Sequence, residues 1–184
     1  MLEQNPNEIL HYWFETLKPD DWWNGSKKVD DEISDCFGDT VMAAFLGELY
    51  RWRETPEGRL AEIICLDQFP RNIYRGTARA FAGDGLALIL AQEAVLAGHD
   101  KKFEGPQRLF FLMPFMHSES LGIHSWAKSL FEAAGLQENL KYLLEHTDVI
   151  RKYGRYPSRN KALNRHSTPA EIAYLKNGKT WGQG

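Results

Sequence analysis

Apolar residues recur at three- and four-residue spacing in segment after segment of this chain, and no stretch alternates apolar and polar residues with the period of two that a half-buried strand requires. That pattern confines the chain to an all-α fold. The punctuation agrees with it. Asn5-Pro6, Thr55-Pro56 and Thr168-Pro169 each set a side chain able to accept backbone amides before a proline that tolerates the first helical position, and Gly98 and Gly135 follow the last periodic residue of a run.

Ile9, Leu10, Trp13, Phe14 and Leu17 make a first helix that Lys18-Pro19 stops. Asp20 to Ser26 reads as a loop whose Trp22 and Trp23 pack on the core as a lid. From Lys27 to Tyr50 the helical period persists through Val29, Ile33, Phe37, Val41 and Phe45, either as one bent rod or as two helices joined at Gly38. Thr55-Pro56 restarts a helix with Leu60, Ile63 and Ile64 on its buried stripe. Gly85 to Ala97 is apolar on nearly all sides, which predicts a central buried helix with Glu93 on an apolar face. Pro114 interrupts the next run and predicts a kink or a two-helix corner. Two further helices close at Gly135 and Gly154, and Thr168 to Glu171 is a capping box opening a last helix, with 176–184 as a frayed tail.

A chain of 184 residues reads as a single helical domain spanning 1–184, able to bury roughly 70% of its unfolded surface without metal or disulfide staples. A net charge of -3 argues against a nucleic-acid partner, which needs a basic face. No run approaches the roughly 20 apolar residues that span a bilayer, and the beginning, Met1-Leu2-Glu3-Gln4, lacks the basic and apolar regions of a signal peptide. A cytoplasmic protein with no membrane partner is expected, its oligomeric state open. Cys36 and Cys65 fall inside helical segments and read as buried, reduced thiols. His117, Glu119, His124 and His146 lack metal-ligand spacing, so no metal or other cofactor is expected.

The stretch Leu66 to Phe81 carries the candidate chemistry. Asp67 lies four residues after Ile63 and seven after Leu60, which places a carboxylate on the apolar face, where it needs partners. Arg71, Arg75 and Arg79 follow at steps of four, but Pro70 and Gly76 break the helix, so the three do not share one face. Near the other end, Tyr156-Pro157-Ser158-Arg159-Asn160 echoes Phe69-Pro70-Arg71-Asn72. Guanidinium forks suit carboxylate and phosphate oxygens. The alternative is internal pairing, with Asp67 neutralising Arg71 or Arg159 and the other arginines capping helix ends.

Five stretches, Leu66 to Asn72, Tyr74 to Phe81, Met113 to Glu119, Tyr153 to Asn160 and Ser167 to Glu171, together resemble a bacterial family known as domain of unknown function 924. The resemblance covers nearly the whole chain, including Trp13-Phe14 and Trp22-Trp23, and departs from the family pattern at Ser158, His166 and Gly122-Ile123-His124. It implies a tetratricopeptide-like α-α superhelix of short antiparallel helices and no established activity.

Two functional expectations follow. In the first, a concave pocket lined by Arg71, Asn72, Arg75, Arg155, Arg159 and Asn160 binds a small anionic molecule or an acidic peptide end. In the second, Asp67, His117, Glu119 and His146 converge as the acid-base groups of a hydrolase or related enzyme. A third, structural reading makes Trp22, Trp23 and Trp52 a protein-interaction surface.

Overall fold

The computed structural model describes residues 5–177, and among them every regular element is helical. Helix α1 (Pro6–His11) starts where Asn5 Oδ1 accepts from the Asn7 amide at 2.9 Å, and it runs on into a single π turn, Tyr12–Thr16. Leu17 is extended and ends it. Pro19 then occupies the first position of α2 (Pro19–Trp23), so the first half of the expected loop is a short helix. Trp22 packs as expected, its ring against Trp13, Phe14 and Phe110 and its Nε1–H donating to the Trp13 carbonyl at 2.8 Å.

Of the two expectations for the next stretch, the single rod holds: α3 (Lys27–Phe45) passes through Gly38 without a joint. Thr55 Oγ1 accepts from the Gly58 amide at 3.0 Å and caps α4 (Pro56–Asp67). Helix α4 is the centre of the molecule. Leu60, Ile63 and Ile64 are fully buried, and the helix packs on α1, on α6 (Asp84–Leu96) and on α7 (Gly105–His117). Pro70 does break it, because α4 stops at Asp67 and a separate α5 (Phe69–Ile73) follows after Gln68. Asn72 and Ile73 still belong to α5, and Gly76 takes the positive φ of 75° that the reversal after it requires. Gly83 lets α6 begin hard against α4, where a methyl group would collide with the Leu66 carbonyl.

Two expectations for the apolar helices are corrected. Helix α6 buries Ala87, Leu90, Ala91 and Ala94 but exposes Leu86, Ile89 and Leu96, and Glu93 lies on that exposed side. Its small residues form the packing seam, so the larger ones point outward. Pro114 sits within α7 without ending it; the helix stays continuous because its whole C-terminal half is buried among neighbours. The chain continues through α8 (Leu121–Ala133), α9 (Gln137–Tyr153) and α10 (Pro169–Asn177). The expected capping box opens α10, with the Thr168 amide donating to Glu171 at 2.7 Å and the Glu171 amide to Thr168 Oγ1 at 3.3 Å.

Cys65 is buried, but Cys36 is exposed, because it lies on the solvent side of α3. Most of the expected frayed tail, 178–184, lies outside the described residues, whereas Lys176 is helical. No helix among the described residues is long and apolar enough to cross a membrane.

Candidate functional site

The end of α4, the end of α7 and the start of α6 meet at one point. Asp67, the last residue of α4, is fully buried, and its Oδ1 lies 2.7 Å from Nδ1 of His117, the last residue of α7. Gln68 Nε2 donates to the other carboxylate oxygen. With the carboxylate taking the Nδ1 proton, the lone pair of His117 is on Nε2.

Arg71, from α5, lies behind this pair. Its guanidinium is 3.4 Å from Asp67 Oδ1, donates to the Asp67 carbonyl, and grips Asp84 through two bonds of 2.9 and 3.0 Å. Arg159 reaches the same carboxylate from a single 3-10 turn, Pro157–Arg159, with Nη1 at 3.1 Å from Asp84 Oδ2 and Nη2 donating to the His117 carbonyl at 3.0 Å. Its guanidinium is sandwiched between Phe81 and Tyr156, with Cζ at 4.8 and 4.7 Å from the two ring centres. Two guanidiniums and two carboxylates therefore form one buried, charge-matched network.

Burial alone pushes the Asp67 carboxyl up, but the charge of Arg71, then that of His117 and the Gln68 hydrogen bond, hold it at about 2. Burial pushes His117 below the ordinary imidazole range and the charge of Arg71 adds to that, against the opposing charge and hydrogen bond of Asp67. The pair at neutral pH is thus carboxylate and neutral imidazole. A neutral imidazole with its proton fixed on Nδ1 is a base.

His117 lines a cavity of about 570 Å³. Trp22, Trp23, Phe81, Met113, Met116 and Tyr142 supply an aromatic and thioether wall. Gln68, Asn72, Asn139, Arg71 and Arg75 supply the polar one. His146 also lines it; its Nδ1 donates to the Tyr142 carbonyl at 2.7 Å, its ring packs edge-on against Tyr156, and burial lowers its pKa to about 3. Arg75 is the more exposed of the two lining arginines. Its Nε and Nη2 grip Asp30 of α3 at 2.9 and 2.8 Å, and its guanidinium lies against Gly25, where any side chain would overlap it. Asn72 Nδ2 donates to the same Asp30 at 2.8 Å.

The structure therefore divides the residues singled out by sequence. Asp67, Arg71, Asn72, Arg75, His117 and His146 belong to the cavity or its immediate support, and Arg159 stands behind them. Glu119, Arg155 and Asn160 do not. Helix α7 ends at His117 and Ser118 is extended, so Glu119 leaves in another direction and joins Arg165 at 2.7 and 3.0 Å. Arg155 is closed on Glu171 at 2.6 and 2.9 Å, and Asn160 bridges Arg165 and Ser167, each at 3.0 Å. An anion pocket needs arginines in excess of carboxylates, and these are balanced: Arg71 and Arg159 stand against Asp67 and Asp84, Arg75 takes Asp30, and Arg155 takes Glu171. Sequence reasoning missed Asp30 and Asp84. Both sit in the first turn of a helix, where an acid is expected for the helix dipole alone, so neither stood out.

No group of three metal-ligating side chains occurs among the described residues.

The family model described as "Bacterial protein of unknown function (DUF924)" matches residues 9–179. The chain belongs to this family. As a member, it is similar in structure to a protein of unknown function, ATU0120, from Agrobacterium tumefaciens, with a TM-score of 0.87 and 38% identity over 94% of this chain and 97% of that one. No curated protein matches. The family assignment and the all-α class agree with the resemblance carried by the five motif stretches.

Proposed function

We propose that this member of the family is an acid-base enzyme, with the cavity as its active site and His117 as its general base. The observation that carries this reading is the 2.7 Å contact between buried Asp67 and His117 Nδ1, made by a histidine that lines the cavity. Asp67 fixes the tautomer and stabilises the imidazolium that forms when Nε2 accepts a proton. Arg71 and Arg159 hold Asp67 and the His117 backbone in place from behind.

No Ser, Thr or Cys is among the described residues lining the cavity. The base therefore acts on a water molecule, giving hydrolysis, or on an acidic proton of the substrate itself. In this reading the helix pairs form a tetratricopeptide-like array that walls the cavity, in a single-domain cytoplasmic protein. The alternative of an arginine cup for an anion has less support, since the four arginines it names are balanced by Asp67, Asp84, Asp30 and Glu171.

A panel of esters, thioesters, amides and phosphoesters tests the proposal. Turnover of at least one class should fall about 10²–10⁴-fold in His117→Asn, the usual contribution of a positioned base, with the fold retained by circular dichroism. Turnover that His117→Asn leaves unchanged contradicts it, as does no turnover across the panel together with no His117-dependent exchange of carbon-bound protons of carbonyl compounds in deuterated water.

A further inference from the structure

The charges around the cavity say what kind of molecule it accepts, an inference that rests on the cavity being the ligand site. Among the described lining residues, the fully charged side chains are Arg71 and Arg75. Each is engaged by two nitrogens on one carboxylate: Arg71 on Asp84 at 2.9 and 3.0 Å, Arg75 on Asp30 at 2.9 and 2.8 Å. Behind them Arg159 and Asp67 complete the count, three guanidiniums against three carboxylates. A carboxylate or phosphate entering here would give up its hydration without meeting a surplus cation, and an ammonium would do so without a surplus anion.

Hydrogen-bonding capacity is nevertheless left over. Arg75 spends Nε and Nη2 on Asp30, which leaves Nη1 as a donor. Asn72 spends its Nδ2 on the same Asp30, which leaves its carbonyl oxygen as an acceptor. Asn139 and Gln68 line the same space. The apolar part of the lining includes Trp23, 49% exposed, and Tyr142, 53% exposed. Aromatic faces and methionine side chains favour a flat or apolar body.

We propose that the cavity selects an uncharged, partly aromatic molecule that presents a carbonyl oxygen to Arg75 and an N–H to the Asn72 oxygen, rather than an anion. Because Asp30 and Arg75 set the balance, they determine specificity. Removing either one should hand the site to a charged ligand of predictable sign.

The test uses three probes of one shape, phenylacetamide, phenylacetate and 2-phenylethylammonium, titrated against the full chain by tryptophan fluorescence and by ligand-observed NMR. Phenylacetamide should bind at least about tenfold tighter than either charged probe, a difference of about 1.4 kcal/mol. Asp30→Asn, which frees Arg75, should move the ranking about tenfold toward phenylacetate, and Arg75→Gln should move it toward 2-phenylethylammonium. Repeating the ranking in His117→Asn separates selectivity from turnover: an unchanged ranking there supports the assignment whether or not His117 proves to be a base. Phenylacetate binding as tightly as the amide in the wild type, no measurable binding of the amide, or a ranking unmoved in both charge variants would overturn it.

Discussion

Two polar clusters in this molecule are each built around arginine-carboxylate pairs, and they behave differently. One lies at the cavity: Asp67, Arg71, His117, Asp84 and Arg159. The other ties the C-terminal segment down: Glu119, Arg165, Arg155, Asn160 and Glu171. In the second, bonds run from side chain to side chain and back to the chain itself. Arg165 bonds Glu119, the Asn160 side chain and the Tyr156 carbonyl, while Arg155 bonds Glu171 and the His166 carbonyl. The first is as well connected, yet it presents a neutral imidazole to a 570 Å³ cavity. The difference teaches that a buried ionic network by itself indicates architecture. What marks a site is a titratable atom that the network orients and does not consume.

If that contrast is right, damage to the two clusters should separate activity from stability. The largest effect is kinetic. Asp67→Asn keeps the size of the side chain but disturbs the tautomer and removes the charge facing the imidazolium, so turnover in the ester and amide panel should fall about 10²–10⁴-fold, as in His117→Asn. Equal rates in wild type and Asp67→Asn would place the pair with the architectural cluster.

Next in size, Asp84→Ala strips from Arg71 and Arg159 the carboxylate they share, and a buried pair broken from one side costs about 3–5 kcal/mol. Denaturant unfolding measures it. A loss below about 1 kcal/mol would mean that water replaces the carboxylate.

Acid should act through the histidines. The folded pKa values of His117 and His146 lie below the ordinary value of about 6.5, that of His146 at about 3, so between these limits the unfolded chain binds more protons than the folded one. Stability is then complete above about pH 6.5 and falls with acidification, by as much as about 1.4 kcal/mol per pH unit for each such group. Asp67 contributes in the same direction only at lower pH, as its carboxylate is lost between the unfolded value of about 3.9 and the folded value of about 2. His146→Gln should flatten the slope between pH 6 and about 4 in thermal melts; an unchanged slope would remove His146 from the account.

Smallest is the architectural cluster. Glu119→Gln, at a half-exposed position, should cost about 1–2 kcal/mol and leave turnover untouched. A variant that stays stable yet loses turnover would erase the distinction between the clusters.

Much of this was legible in the chain. The spacing of Asp67 from Leu60 and Ile63 places it on a buried face, and the two echoing stretches, Phe69 to Asn72 and Tyr156 to Asn160, do meet, with Arg71 and Arg159 on one carboxylate. That carboxylate was not legible, because Asp84 reads as an ordinary first-turn acid. Glu119, expected to converge with His117, stands only two residues from it, but one extended residue, Ser118, sends it elsewhere. The outward face of α6 was hidden for another reason: an all-apolar helix carries no polar stripe to say which side is exposed.

The central claim concerns one nitrogen. Long-range ¹H–¹⁵N correlation spectra of histidine-labelled protein report the tautomer and titration of each imidazole directly. His117 should show a protonated Nδ1 and a bare Nε2 near neutral pH, with a pKa below the ordinary histidine value and a further fall in Asp67→Asn, where the carboxylate that favours the imidazolium is gone. A His117 that is protonated on Nε2, or charged at neutral pH, would contradict the account.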